Sequence, residues 1–264
     1  MVLEKLHYTV EDGIAVITMD YSRNLNAIDD QMADELIYVL SEAEKDEKVR
    51  VIILNSAAKA FSAGGDIGFF YNLVKAGGRI DMGSLIGKVG VITNAMKSCS
   101  KMIIAAVNGA AAGAGFPLAL SADFIIADEK ASFILAFVNV GLAPDTGAAY
   151  MLAKSIGEKR ALACCATGKP ISAAEAKELG LVYDVVPTEM LQGTAKKFAA
   201  KLAAGPLISY KNIKKQIYAA SFSEYERFLK ETEEPAQYEC SNTEDFREGC
   251  AAFMEKRKAV FKGR

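Results

Sequence analysis

An apolar run from Met102 to Val107 stops at Asn108-Gly109 and gives way to the small-residue stretch Ala110-Ala-Ala-Gly113-Ala114-Gly115-Phe116-Pro117. The run reads as a buried strand, Asn-Gly as a turn, and Pro117 as the first position of a helix. A strand that feeds such a loop and then a helix gathers backbone N–H groups and a helix N-terminus at one point, which attracts negative charge on a ligand. Some thirty residues on, Asp145 stands in Pro-Asp-Thr-Gly, ahead of the helical run Ala148–Ile156. A donor-rich backbone corner and one carboxylate therefore frame the functional question.

The remaining elements fit around this corner. Leu3–Val10 and Ile14–Asp20 read as two strands joined by Glu11-Asp12-Gly13, and Tyr21–Ile28 as an irregular loop. Asp29 can cap a helix to about Asp46, with Met32, Leu36, Val39 and Leu40 at helical spacing. Val49–Asn55 is a second fully buried strand. Ala60–Ile67 (AFSAGGDI) is a second small-residue loop that opens a helix, Lys75–Gly83 reads as a mobile surface excursion, and Ser84–Ser98 as a helix. Beyond Tyr150, helices end at Gly157 and Gly168, Ser172-Ala-Ala-Glu175 forms a capping box, and Leu181–Val186 is strand-like. From about Gln192 every pattern is helical, with breaks expected at Gly205-Pro206, Pro235 and Ser241–Thr243. The chain thus divides into an α/β region, residues 1–191, and a helical region, residues 192–264.

At 264 residues the chain can bury a large core, and a formal charge of −2 gives no reason to expect nucleic acid or a membrane surface as partner. No apolar run approaches the roughly 20 residues of a membrane span. The N-terminus lacks a basic-then-apolar signal pattern, so a cytoplasmic location is the expectation. Five cysteines without CxxC spacing (Cys99, Cys164, Cys165, Cys240, Cys250) read as reduced thiols, not as disulfides or a metal site. Gly113-x-Gly115 after a strand is not a dinucleotide fingerprint, because Leu118 replaces the third glycine.

AFSAGGDI, the stretch AAVNGAAAGAGFPLALSADFIIADEKASF, GKPISAAEAKELGLVYDVV and the terminal AAFMEKRKAVFKG resemble, in order and spacing, the enoyl-CoA hydratase/isomerase (crotonase) superfamily. The resemblance covers nearly the whole chain. It implies an α/β fold, a crotonase-like ββα spiral core with a C-terminal helical trimerisation region, assembled as a homotrimer or a dimer of trimers. It also implies an acyl-CoA substrate, with coenzyme A present only as part of the thioester and no permanently bound cofactor. Two backbone N–H groups that hold the thioester oxygen as it becomes an enolate map to Gly65 and Ala114. Fixed donors aimed at developing charge are worth ~3 kcal/mol each. Contacts to the CoA moiety map to Arg23, Asn24, Leu25 and Ala27, to Ala63, Asp66 and Ile67, and to Phe253 and Lys256 from a neighbour's C-terminal helix. Close packing remains an alternative role for Gly113–Gly115, and a solvated basic face one for Lys256.

The departures from the family pattern carry as much information. The two glutamates of the hydratases fall on Pro117 and Phe137, which cannot move a proton, so the paired acid–base groups of ordinary water addition are missing. Asp145 matches the single acid of the Δ3,Δ2-enoyl-CoA isomerases and of the phenylacetate-pathway ring-enoyl isomerases. One carboxylate suffices for a 1,3-proton shift from C2 to C4 of a dienolate. Capping of the following helix is the competing role for Asp145. The dehalogenase branch pairs its aspartate with a histidine and a tryptophan; this chain has no tryptophan, and its one histidine, His7, lies in the first strand. Phe116, Phe137 and Leu142 are expected to line the acyl pocket, and Phe69, Phe70, Tyr71 and the 75–83 excursion to shape it. An acyl-CoA hydrolase or another lyase using Asp145, and a non-catalytic acyl-CoA-binding trimer, are the alternatives.

Overall fold

In a computed structural model describing residues 1–264, the chain begins with a hairpin of β1 (Leu6–Glu11) and β2 (Ile14–Met19). Asp12 and Gly13 both take positive φ at its turn, as a two-residue hairpin demands. Ala15, Ile17 and Met19 alternate into the core. The helix α1 (Asp30–Lys45) starts where the Asp29 carboxylate accepts the Met32 N–H at 2.9 Å, and it buries Met32, Leu36, Val39 and Leu40.

Strand β3 (Val51–Ser56) leads to α2 (Ile67–Ala76) and α3 (Gly83–Ser98). Then come β4 (Met102–Val107), the short β5 (Ala110–Ala112), α4 (Gly115–Leu120), β6 (Phe124–Asp128) and β7 (Ser132–Ile134). The chain continues through α5 (Ala148–Ile156), α6 (Glu158–Thr167), β8 (Ile171–Ser172), α7 (Ala173–Glu178) and β9 (Asp184–Val186). Five further helices complete it: α8 (Leu191–Ala203), α9 (Leu207–Ser221), α10 (Tyr225–Phe228), α11 (Glu234–Ser241) and α12 (Glu244–Met254).

The main sheet has the order β1-β2-β3-β4-β6-β9, parallel except for the first hairpin; β5, β7 and β8 form a second, smaller sheet. In this ββα spiral the pairs β4–β5 and β6–β7 each place one strand in each sheet. Strands β3 and β4 are buried on both faces, which is why they read as unbroken apolar runs. Ile52, Leu54, Ile103 and Ala105 face the larger core beneath α1 and α3. Val51, Ile53, Ile104 and Ala106 face the opposite side, covered by Leu191, Ala195, Ala199 and Leu202 of α8.

Three expectations change. Pro117 is the third residue of α4, not the first, and this is tolerated because the first four N–H groups of a helix have no intrahelical partner. Residues 75–83 are not a surface excursion throughout. Ile80 and Met82 are buried, and the Asn242 side chain clasps Ile80 by accepting its N–H at 2.9 Å and donating to its carbonyl at 3.0 Å. Pro235 does not break the tail. Lacking an N–H, it cannot donate to the carbonyl four residues back, and the chain widens there into a π turn, Leu229–Glu233, that runs into α11. No helix is long and apolar enough to cross a membrane.

Candidate active site

The loops leaving the C-terminal ends of β3 and β4 run side by side. Ser62 N–H donates to Ala110 O at 3.2 Å and Ala112 N–H to Ser62 O at 2.9 Å. The loop after β2 is laced to the same edge, with Ala63 N–H donating to Leu25 O at 3.0 Å and Ile28 N–H to Gly64 O at 2.7 Å. Buried Asn26 pins it by donating to Ser56 Oγ at 2.8 Å, with weaker bonds to Met19 O and Phe61 O. This lacing leaves the N–H groups of Gly65 and Ala114 donating to no other group of the chain. Both residues line one cavity of about 610 Å³, whose walls are mostly apolar. A ligand crevice outside the carboxyl ends of parallel strands is the usual place for one in an open α/β sheet.

Of the side chains lining this cavity only Arg23, Asp66 and Asp145 titrate. Asp66 caps α2 by accepting the Phe69 N–H at 3.0 Å, and its second oxygen accepts from Asn24 at 3.2 Å. With exposed Arg23, Leu25 and Phe253 it marks the mouth. Asp145 is the one acid among the interior walls.

Asp145 is no helix cap. Gly147 occupies the N-cap of α5, and the Asp145 carboxylate binds two side chains instead: Thr146 Oγ1–H at 2.6 Å and the Gln237 amide at 2.7 Å. Burial against the cavity wall pushes its pKa up to about 6, with these two hydrogen bonds pulling the other way. The turn behind it is strained. Thr146, a β-branched residue, has φ 61°, and Gly147 has φ 78°. A Cβ at Gly147 would stand 1.9 Å from the Tyr225 hydroxyl, so the glycine serves both the backbone angle and the space. Glu233 accepts the Gly147 N–H at 2.8 Å. Tyr225, Glu233 and Gln237 thus hold the acid-bearing turn from the helical tail.

The structure gathers Arg23, Asn24, Leu25, Ala27, Ala63, Gly65, Asp66, Ile67, Phe70, Ala114, Phe137, Leu142, Asp145 and Phe253 around the cavity. Phe253 belongs to this chain's own α12, whereas the resemblance implied a neighbour's. The chain's own tail folds back over the cavity, and Phe246 packs on Phe70 at 6.1 Å. Lys256 lies exposed past the end of α12 and away from the walls. Phe116 is not a pocket residue. It is fully buried against Phe133, their rings 5.0 Å apart. Phe69 and Tyr71 also miss the cavity, because consecutive residues on α2 point about 100° apart and of these three aromatics Phe70 alone faces inward. Pro117 is buried outside the walls, and Phe137 presents an aromatic ring inside them.

Sequence reasoning missed Gln237 and Glu233, which meet Asp145 and Gly147 from about ninety residues away. It also missed the buried stripe Met82, Leu85, Ile86 and Val89, which forms the interior wall. Helical spacing could have flagged the stripe; nothing local marks the two polar residues. His7 pairs with Asp20 on the exposed edge at 2.9 Å. No group of three or more His, Cys, Asp or Glu is placed to hold a metal ion, and all five cysteines are free.

Comparison with known proteins extends this picture. A family described as Enoyl-CoA hydratase/isomerase matches residues 9–264. A trans-2-decenoyl-[acyl-carrier-protein] isomerase of Streptococcus mutans is 34% identical over 264 residues, covering 100% of both chains. A 1,2-epoxyphenylacetyl-CoA isomerase of Escherichia coli is 34% identical over 256 residues, covering 97% of each. The crystal structure of an enoyl-CoA hydratase from Mycobacterium avium subsp. paratuberculosis superposes with a TM-score of 0.89 at 29% identity, covering 99% of this chain and 100% of that one. A match along nearly the full length, at this identity and with the same fold, makes the chain a member of the enoyl-CoA hydratase/isomerase family.

Proposed function

We propose that the chain is an isomerase of enoyl-CoA thioesters, moving a double bond between the 3- and 2-positions. The observation that carries this is a single interior carboxylate in a cavity that also holds two unengaged main-chain N–H groups. In the forward direction Asp145 takes the proton from C2. The electron pair of that C–H bond passes into conjugation and onto the thioester oxygen, held by Gly65 and Ala114 N–H. Asp145 then returns the proton at C4, forming the new C–H bond as the dienolate collapses. No second acid is needed to activate water, and no resident cofactor enters. Two of the relatives described above are named as isomerases.

The test is incubation of 3-enoyl-CoA with the protein in D2O. Isomerisation gives the 2-enoyl thioester and no 3-hydroxy product, with deuterium at C4 to the extent that the Asp145 proton exchanges with solvent before its return. Hydroxyacyl product would mean a hydratase, free CoA a hydrolase, and neither conversion nor exchange at C2 a mere binder. Since Asp145 must be ionised to act, kcat should climb as pH rises through about 6 and level off near neutrality. A rate independent of pH between 5 and 7 counts against Asp145 as the base.

The wall of Met82, Leu85, Ile86 and Val89 sets how much acyl chain enters. Filling it with Ile86→Trp should exclude about three methylenes, which at ~0.8 kcal/mol each lowers kcat/KM for the longer substrates by about 50-fold. Four-carbon substrates should be unaffected. Equal losses for all chain lengths would show that the stripe does not face the acyl group. For assembly we infer a homotrimer or dimer of trimers. The exposed Ile208, Ile213 and Ile217 on α9 support a buried interface there, and light scattering on the purified protein measures it.

A further inference from the structure

Two buried oxygens beside Asp145 have no hydrogen-bond partner: Glu233 Oε1 and Gln237 Oε1. They belong to residues four apart on one continuous helical run, where the π turn ending at Glu233 meets α11, so they lie on neighbouring turns of one face. Their other polar atoms are both committed to the acid-bearing turn. Glu233 Oε2 accepts the Gly147 N–H at 2.8 Å, and Gln237 Nε2 donates to Asp145 Oδ2 at 2.7 Å. Glu233 is 4% exposed and Gln237 fully buried, so bulk solvent reaches neither orphan.

If Glu233 were ionised, both orphans would be acceptors and neither could satisfy the other. Placing a proton on Glu233 Oε1 makes one a donor and the other an acceptor. We propose that Glu233 is a positioning residue acting as a neutral carboxylic acid, its Oε1–H donating to Gln237 Oε1 and so locking the Gln237 amide with its N–H turned toward Asp145. The amide of a glutamine can face either way; the proton on Glu233 selects the face that supports an Asp145 carboxylate.

The surroundings agree. The titratable groups acting on or acted on by Glu233 are Asp145 from the turn before α5, Cys165 from α6 and Tyr225 from α10. None is a cation. Cys165 and Tyr225 are themselves pushed upward by burial and stay neutral near pH 7. Burial first, then the Asp145 charge, push the Glu233 carboxyl up to about 8, against the pull of the Gly147 N–H. Above that pH, Glu233 ionises, Gln237 loses its donor, and a second negative charge arrives beside Asp145.

The inference rests on the isomerase reading only in its kinetic arm, so the experiment has two. Infrared difference spectra between the wild-type protein and Glu233→Gln should show a protonated carboxyl C=O band at pH 6.5 to 7 that is lost as pH passes about 8. Absence of that band at neutral pH overturns the proposal whatever reaction the chain catalyses. In the kinetic arm, wild-type kcat on a 3-enoyl-CoA should fall above about pH 8. Glu233→Gln, whose amide can still donate to Gln237 Oε1, should keep kcat at pH 7 within about 3-fold and lose the alkaline fall. Glu233→Leu, with no donor, should drop kcat by ~10-fold at pH 7 with KM little changed. An alkaline fall that persists unchanged in Glu233→Gln, or Glu233→Leu as active as Glu233→Gln, refutes the clamp. Should Glu233→Leu fail to fold, the other variant and the infrared band decide. Should the wild type turn over no enoyl thioester, the isomerase reading falls while the band still tests Glu233.

Discussion

Replacing Asp145 with asparagine should abolish most isomerisation while making the protein harder to melt. Asparagine matches the carboxylate in shape but cannot take a proton. Removing a general base of this kind lowers kcat by ~10²- to 10⁴-fold, with KM changed only a few-fold because the thioester contacts remain. The local hydrogen bonds can adapt. The Thr146 hydroxyl can rotate to accept from the new amide, and the amide oxygen can still accept from Gln237. The stability gain follows from linkage. In the folded chain burial pushes the Asp145 pKa up to about 6, above the 3.8 of a free aspartate side chain, so the native state binds the proton more tightly than the unfolded state. The contribution of this group is therefore fully present below about pH 4 and is lost as pH rises through 6; at neutral pH the ionised carboxylate is a net penalty. Its removal is worth up to about 3 kcal/mol before any loss of hydrogen-bond strength, or several degrees in Tm at pH 7.5. The gain should vanish at pH 4. An Asp145→Asn protein that turns over 3-enoyl-CoA at the wild-type rate would remove the proposed base outright. A protein that loses activity together with stability would show the carboxylate to be structural.

The two halves of this site were not equally legible in the sequence. The oxyanion corner is local: each loop follows its own strand, and small residues announce where backbone must approach a ligand. Asp145 is local too, but its role is not, because Pro-Asp-Thr-Gly before a helix also has the pattern of a cap. Only the left-handed backbone at Thr146 and Gly147 takes the carboxylate away from the helix and turns it to the cavity. What holds it there comes from Tyr225, Glu233 and Gln237, single residues in an amphipathic tail whose pairing depends on how that tail folds back. Pro235 illustrates the difficulty. Local rules make it a stop signal; the π turn that absorbs it carries Glu233 to the Gly147 N–H. Aromatic residues near a small-residue loop misled for a simpler reason. Helical rotation sends Phe69 and Phe116 elsewhere, whereas Phe70 and Phe137 reach the walls.

Gly64→Ala should damage the site as severely as loss of the acid, through the backbone alone. Gly64 has φ 87°, and an added Cβ would stand 2.6 Å from Ala112 O and 3.0 Å from both Ala114 N and Gly113 Cα. All three neighbours are main-chain atoms of the second loop, so no side chain can swing aside. The two loops must separate, and the atoms that move flank the N–H groups of Gly65 and Ala114. Misaiming even one such donor typically lowers kcat by ~10²- to 10³-fold. The positive φ alone disfavours alanine by about 1 kcal/mol, and the clash adds to it, so Tm should fall as well. Stability loss by itself could mimic the kinetic effect, and Gly87→Ala separates the two. Gly87 lies within α3 with nothing within 4 Å of an added Cβ, and alanine there should stabilise the helix by ~0.5–1 kcal/mol. Introduced into the Gly64→Ala protein, it should recover part of the Tm and none of the kcat. Recovery of both would mean that the glycine serves only folding; recovery of Tm alone locates the loss in the spacing of two backbone donors around a thioester oxygen.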